Sequence, residues 1–272
     1  MDIKNELNKN GFRFQKRFGQ NFITDKNFLK SIVEKSGVTA DDTVVEIGAG
    51  AGTLTAAIAE KAKRVIAFEI DTSLEPVLKN TLSEFDNVEL IFGDFMQAKD
   101  VSETACGDYK VIANLPYYIT TPVLFKLMED TAVLPKTISV MVQKEVADRM
   151  CAKPSTKDYG ALTVAIDARF SVKKLVNVSR DMFYPVPNVD SAVVLMTAKD
   201  VGESVDKKKF SALVRAAFAM RRKTLANNLT AAFSLSRTAC EEALEKCGLP
   251  LAVRGEALST QQFEMLAKTL FA

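Results

Sequence analysis

Val44-Val45-Glu46-Ile47-Gly48-Ala49-Gly50-Ala51-Gly52-Thr53-Leu54-Thr55 decides how the rest of the chain is read. An apolar run ends in three glycines at alternate positions and then opens into helix-forming residues. Such a stretch forms a buried strand, a tight turn and a helix N-terminus, which together bring backbone close to a ligand. The spacing is G-x-G-x-G. It differs from the G-x-G-x-x-G of dinucleotide sites, and no Gly-Lys-Ser/Thr of a phosphate-binding loop follows.

Outward from this turn, strands and helices alternate. Strands are expected at 43–47, 64–68, 88–92, 110–113 and 137–142, with helices at 53–60, 73–82 and 122–128 between them. An earlier helix at 25–36 places Phe28, Leu29, Ile32 and Val33 on one face. Later strands at 170–178 and 191–197 are expected to run antiparallel. This order predicts an α/β fold, a mainly parallel, doubly wound sheet with helices on both faces. In such sheets ligands bind beyond the carboxyl ends of the strands, where Glu69, Asp94, Asn114 and the glycine turn all fall. Residues 199–209 are polar and read as a hinge. Beyond them the pattern is all helical, with faces at 210–218, 225–233, 239–247 and 262–271. The expected domains are 1–200, with an N-terminal arm at 1–24, and a smaller helical domain at 201–272.

Composition narrows the function. The chain has 272 residues, 47% hydrophobic and 26% charged, as in an ordinary soluble globular protein. The polar N-terminus carries no leader-like apolar segment, and no stretch approaches a membrane span. Four scattered cysteines suit a reducing cytoplasm and form no zinc motif. Histidine is absent, which removes imidazole-based triads and the commonest metal ligand, so no metal site is expected. The small net charge of +2 hides a segregation. Residues 1–30 carry net +4, residues 31–200 net −6 and residues 201–272 net +4. Basic ends around an acidic middle suit a polyanion held from both sides.

The candidate site follows from the strand ends. Glu69 stands where an acidic residue meets a ribose diol in nucleotide-binding α/β folds. Asp94, one strand on, is placed to accept from an adenine amine. Each alone would serve as an ordinary turn or cap residue; with the glycine turn they describe a nucleoside-like ligand. G-x-G-x-G favours S-adenosylmethionine over a dinucleotide, with the helix N-terminus favouring its carboxylate by roughly 0.3–1 kcal/mol. Asn114-Leu115-Pro116-Tyr117 then supplies the reaction. An aromatic amine is a poor nucleophile, because its lone pair is delocalised into the ring. The Asn114 side-chain carbonyl and the Leu115 backbone carbonyl can hold its hydrogens, while Pro116 stiffens the turn and Tyr117 offers a face to the base. Positioning dominates such chemistry, so the lack of histidine is no handicap. In the arm, Arg13, Lys16 and Arg17 interleave with phenylalanines, a pattern that stacks on bases and touches phosphates. Lys207, Lys208, Lys209, Arg215, Arg221, Arg222, Lys223 and Arg237 make the C-terminal helices basic.

Several of these stretches resemble one family. Phe18-Gly19-Gln20-Asn21-Phe22-Ile23, Glu46 to Gly52, Asn114 to Tyr117 and Phe183-x-Pro185-x-Pro187-x-Val189-Asp190-Ser191 are similar to motifs of the rRNA adenine dimethyltransferases. Val142 to Arg149, Asp158-Tyr159-Gly160-Ala161-Leu162 and Phe218-x-x-Arg221-Arg222-Lys223-Thr224-Leu225 extend the likeness over nearly the whole chain. The Arg-Arg-Lys-Thr-Leu element and Arg254-Gly255-Glu256-Ala257-Leu258-Ser259 resemble the small-subunit (KsgA/RsmA) branch more than the Erm resistance enzymes. Ala49 departs from the proline of many members but leaves the glycines intact. The resemblance implies the seven-stranded, Rossmann-like sheet of class I methyltransferases. It implies N6,N6-dimethylation of two adjacent adenosines in a hairpin near the 3′ end of 16S rRNA, with S-adenosylmethionine as cofactor and a role in small-subunit biogenesis. Asn21, Ile23, Gly48, Gly50, Glu69, Asp94 and Asn114 would contact the cofactor. Asn114, Leu115, Pro116 and Tyr117 would hold the target adenine, with Phe183 on its other face. The rRNA backbone would meet Arg13, Lys16, Arg17, Lys207, Lys208, Arg215, Arg221, Arg222 and Lys223. The expected enzyme is a cytoplasmic monomer that takes the rRNA of immature small subunits, not DNA or membrane. Two alternatives stand beside it, an Erm-type 23S rRNA methyltransferase and a non-catalytic nucleic-acid-binding factor of the same fold.

Overall fold

The structure, a computed structural model, describes residues 7, 9, 11, 12, 14, 15, 19–200 and 206–271. The chain divides into two compact units, Met1–Ala147 with Lys173–Ala198, and Asp148–Val172 with Lys199–Ala272. A single boundary near residue 200 was expected. Instead Asp148–Val172 joins the C-terminal helices, because Tyr159, Val164 and Ala168 are buried in the same core as Phe210, Leu213 and Phe263.

The first unit opens with strand β1 (Phe22–Ile23) and helix α1 (Lys26–Lys35). Asp25 caps α1 by accepting from Phe28 N, and Leu29, Ile32 and Val33 form its buried face. Alternation follows: β2 (Thr43–Ile47), α2 (Thr53–Ala59), β3 (Arg64–Glu69), α3 (Glu75–Thr81), β4 (Val88–Phe92), α4 (Val101–Ala105), β5 (Tyr109–Asn114), α5 (Thr120–Glu129) and β6 (Thr137–Gln143). After α6 (Lys144–Met150) and α7 (Ala161–Asp167) come β7 (Phe170–Val178), β8 (Phe183–Tyr184) and β9 (Ser191–Ala198). Seven strands form one sheet in the order β4-β3-β2-β5-β6-β9-β7. β4, β3, β2, β5 and β6 run parallel, and β9 is antiparallel to β6. Val44, Val45, Val65 and Ile66 are completely buried at its centre, as strands covered on both faces require. Separately, β1 pairs antiparallel with β8, Phe22 opposite Tyr184 and Ile23 opposite Phe183.

The chain runs from β2 outward to β3 and β4, then returns to β5 on the other side of β2. The order therefore reverses between β2 and β5, and a crevice opens beyond their carboxyl ends. Gly48 follows β2 and Asn114 ends β5, so the fold brings the glycine turn and the Asn114 loop to one place.

In the second unit, α7 belongs with α8 (Lys207–Phe218), α9 (Leu225–Phe233), α10 (Arg237–Lys246) and α11 (Thr260–Phe271). Asp206 accepts from Lys208 N and Lys209 N and so starts α8, inside the expected hinge of 199–209. Family-like motifs turn out to be packing devices here. Tyr159 is buried and its hydroxyl donates to Leu258 O at 2.8 Å. At Gly255 an added Cβ would lie 2.7 Å from Ala217 O, so only glycine fits beneath α8. Asn228 Nδ2 donates to Ala217 O and Met220 O, closing the end of the same helix.

Candidate active site

The glycine turn is wound tightly by its own amides. Gly48, Gly50 and Gly52 all have positive φ, at 82°, 56° and 81°, a region that penalises any side chain. Gly48 N and Ala49 N both donate to Phe68 O, and Gly52 N donates to Ala49 O. Gly50 N donates to Glu69 Oε2 at 2.7 Å, while Asp71 N donates to Glu69 Oε1 at 2.8 Å. Glu69 is thus a clamp that ties the end of β3 to the turn after β2. It is 6% exposed, and burial raises its pKa against the lowering effect of those two amides. The turn's donors are therefore largely spent within the protein. What it offers a ligand is close backbone approach, as the sequence leads one to expect.

Phe22 fixes the turn from the other side. A Cβ at Gly50 would come within 2.8 Å of the Phe22 ring. At Gly48 a Cβ would sit 3.7 Å from Asn114 O, so the two loops at the switch point nearly touch. Asn114 Nδ2 donates to Asn21 O at 3.1 Å. That bond fixes the amide orientation and leaves Oδ1 as an uncommitted acceptor among the described residues. Asn21 in turn donates from Nδ2 to Gly19 O, and Thr53 Oγ1 donates to Ile23 O. Asp94 accepts from Met96 N through Oδ1, which holds the carboxylate at the end of β4. Tyr117 is oriented by a 2.8 Å hydroxyl contact with Ser191, and burial raises its phenol pKa. Phe183, 4% exposed, is held by the β1–β8 pairing.

All these groups line one cavity with about 1050 Å³ of empty space, its open mouth included. Asn21, Ile23, Gly48, Gly50, Glu69, Asp94, Asn114, Leu115, Pro116, Tyr117 and Phe183 are brought together there. Glu46 and Gln20, which the sequence reading quoted in motifs without giving them a site role, and Tyr118, which it did not single out, also line it. Glu46 is 1% exposed, and neither carboxylate oxygen has a hydrogen-bond partner among the described residues. Burial pushes its pKa up to about 8; the Thr55 hydroxyl beside it opposes the shift and the Glu69 charge adds to it. A lone acid inside the apolar run Val44–Ile47 was the available signal. Gln20 donates to Asp71 Oδ2 at 2.7 Å, closing the arm onto the rim. Among the described lining residues three are acidic and none is basic.

A family model described as ribosomal RNA adenine dimethylase matches residues 11–268. The chain belongs to the ribosomal RNA adenine dimethylase family. Its dimethylase relatives include a ribosomal RNA small subunit methyltransferase A from Bacillus licheniformis, 46% identical over 98% of this chain and 94% of the relative. Another of that name, from Shouchella clausii, is 44% identical over 98% and 93%. Among solved structures, a dimethyladenosine transferase from Plasmodium falciparum superposes with a TM-score of 0.78 at 27% identity, covering 90% of this chain and 95% of that one. The 23S rRNA methyltransferase ErmE gives 0.67 at 26% identity, covering 92% and 100%.

In this dimethylase the basic candidates divide. Arg13, Lys16 and Arg17 lie outside the described residues. Lys208, Arg215, Arg222 and Lys223 are exposed, and Lys207 is half-buried in the first turn of α8. Arg221 differs from its neighbours: Nη1 and Nη2 donate to Lys157 O, and Nε and Nη2 donate to Glu256. Its guanidinium is committed to joining three segments of the second unit, a use that charge alone did not reveal. Among the described residues no group of His, Cys, Asp and Glu is arranged to hold a metal, and no helix is long and apolar enough to cross a membrane.

Proposed function

We propose that this dimethylase transfers methyl groups from S-adenosylmethionine to the N6 amines of two adjacent adenosines near the 3′ end of 16S rRNA. The observation that carries the reading is the Asn114 amide, locked by Asn21 with Oδ1 uncommitted, in the same cavity as Tyr117, Phe183 and the glycine turn.

The cavity fits the donor. Acidic side chains without basic ones suit a sulfonium and an ammonium, and disfavour the phosphates of a dinucleotide. Gly48 leaves space a Cβ would fill, and Glu69 and Asp94 are placed for the ribose diol and the adenine amine. When bound, S-adenosylmethionine supplies an electrophilic methyl on sulfur. Asn114 Oδ1 and the Leu115 carbonyl accept from the target amine's N–H groups, so its lone pair is aimed out of conjugation and toward that methyl. Pro116 and the Tyr117–Ser191 contact keep the loop rigid, and Tyr117 and Phe183 take the two faces of the extruded adenine. Each stacked face is worth about 1–3 kcal/mol. The proton displaced from the alkylated nitrogen leaves to water.

Lys207, Lys208, Arg215, Arg222 and Lys223, with Arg13, Lys16 and Arg17 of the arm, serve the rRNA backbone. Arg221 acts mainly by holding the second unit together. The helical region 201–272 is the RNA-binding domain, and Asp148–Val172 shares its core. The enzyme acts as a cytoplasmic monomer on immature small subunits. Relatives named for the small subunit at 44–46% identity favour that substrate over the 23S rRNA named for the structural neighbour at 26%. The test is transfer of labelled methyl from S-adenosylmethionine to small-subunit precursors and to 23S rRNA, with mapping of N6,N6-dimethyladenosine. Two adjacent dimethylated adenosines in 16S rRNA are expected. Label in 23S rRNA would identify the Erm-type activity, and donor binding without transfer would identify a non-catalytic factor.

A further inference from the structure

Tyr118 is adjacent to the adenine-holding Tyr117 but is placed quite differently. Tyr117 is anchored through its hydroxyl to Ser191, whereas Tyr118 is 64% exposed while still lining the cavity. It is the most exposed large apolar side chain among the described residues. Its backbone is nevertheless fixed. Ile119 N donates to Pro116 O at 3.1 Å, so Tyr117 and Tyr118 are the two central residues of a tight turn that leads directly into α5. One edge of the Tyr118 ring also lies over Gly19. A Cβ there would be 3.5 Å from Cε1 and 3.2 Å from Pro116 Cβ, and Gly19 has a positive φ that favours glycine. A large aromatic ring carried on a fixed turn beside the cavity offers a stacking surface.

We propose that Tyr118 stacks on the nucleotide next to the adenosine held in the cavity. The inference rests on the preceding reading of the substrate and deepens it. Extruding one base removes a stacking partner from its neighbour, and an aromatic ring at the mouth replaces that partner. A single ring can replace only one stacking partner. It therefore receives the neighbour on one strand side, 5′ or 3′, and the two adjacent target adenosines differ in what they place there. For one of them the base on Tyr118 is the other adenosine of the pair; for the other it is a nucleotide outside the pair. The ring thus distinguishes two chemically identical targets.

The test uses the full-length protein, S-adenosylmethionine and RNA hairpins carrying a single target adenosine with an abasic nucleotide on its 5′ or its 3′ side. Tyr118→Ala is expected to lower kcat/KM on intact RNA about tenfold, the loss of one stacked base, while Tyr118→Phe retains it. The wild type should lose a similar factor on the RNA abasic on one side and little on the other. Tyr118→Ala should lose nothing further on that same RNA, a non-additivity that a merely structural role would not produce. On the native pair, the variant's loss should fall unequally on the two adenosines. Wild-type kcat/KM in Tyr118→Ala, or losses that simply multiply, overturns the assignment. A wild type that methylates none of the RNAs overturns the reading of the substrate itself, and the wild-type control alone identifies that outcome.

Discussion

The cavity of the first unit and the basic surface of the second use polar side chains in opposite ways. In the cavity Glu69, Asp94 and Asn114 are each fixed by backbone groups, from Gly50 and Asp71, from Met96 and from Asn21 respectively. On α8 and the turn after it, Lys208, Arg222 and Lys223 extend from exposed positions with long flexible stems. The first arrangement selects by geometry, because a locked group can meet only a partner of matching shape. The second attracts by charge, which tolerates motion and varies with salt. Arg221 crosses this division: it lies in the basic run, yet it is locked in the manner of the cavity residues.

The largest effect should come from the cavity. Asn114→Ala removes the acceptor that orients the amine, and methyl transfer should fall roughly 10²–10³-fold, as for loss of one preorganised polar group in a reaction centre. RNA affinity, read by gel shift, should stay near wild type; full turnover would sink the assigned role. Glu69→Gln should weaken S-adenosylmethionine binding about 10–100-fold in calorimetry, since an amide can accept from only one of Gly50 N and Asp71 N and sets its NH2 against the other. Arg222→Ala with Lys223→Ala should instead change a slope. Each lost phosphate contact should flatten the dependence of log affinity on log salt by about 0.7 for single strands. Arg221→Ala sharpens the comparison: a lower melting temperature with the salt slope of the wild type is expected, and the reverse pattern would place Arg221 with the mobile cations.

A further effect, on stability rather than on activity or binding, concerns Glu46. Its folded pKa, about 8, lies above the ordinary glutamate value of 4.5, so the folded state keeps a proton that the unfolded state releases. Below pH 4.5 both states are protonated and the residue is neutral in this respect. As pH rises toward 8 the burial penalty is progressively felt, so stability falls with rising pH in that window. Glu46→Gln should flatten that decline in urea melts of the cofactor-free protein. A decline unchanged by the substitution would assign it to other groups.

Much of the sheet was legible because its signal is local. Thr43–Ile47 and Val88–Phe92 emerge at their expected limits from largely apolar runs bounded by turn residues, and Phe170–Val178 does so from β-branched and aromatic residues interleaved with polar ones. The convergence of Glu69, Asp94 and Asn114 was legible too, since strand ends in a parallel sheet share one side. Helices at 144–150 and 161–167 were not assigned, because seven residues carry little periodicity and their faces are defined only by the core they enter. The clamp between Glu69 and Gly50 spans 19 residues and the Arg221–Glu256 pair 35, and neither separation leaves a pattern in the chain. Charge alone cannot distinguish an arginine waiting for phosphate from one already satisfied by Lys157 and Glu256.

The short pairing of Phe22–Ile23 with Phe183–Tyr184 has a consequence for biosynthesis. One part of the cavity lining comes from β1, and the strand paired with it leaves the ribosome much later. The glycine turn, with Phe22 packed against Gly50, is translated early, but Phe183 cannot reach Ile23 until most of the first unit has been made. A nascent chain interrupted before residue 183 therefore has the strands that begin the sheet but no closed pocket, and the capacity to hold a base arrives as one of the last events in making the first unit.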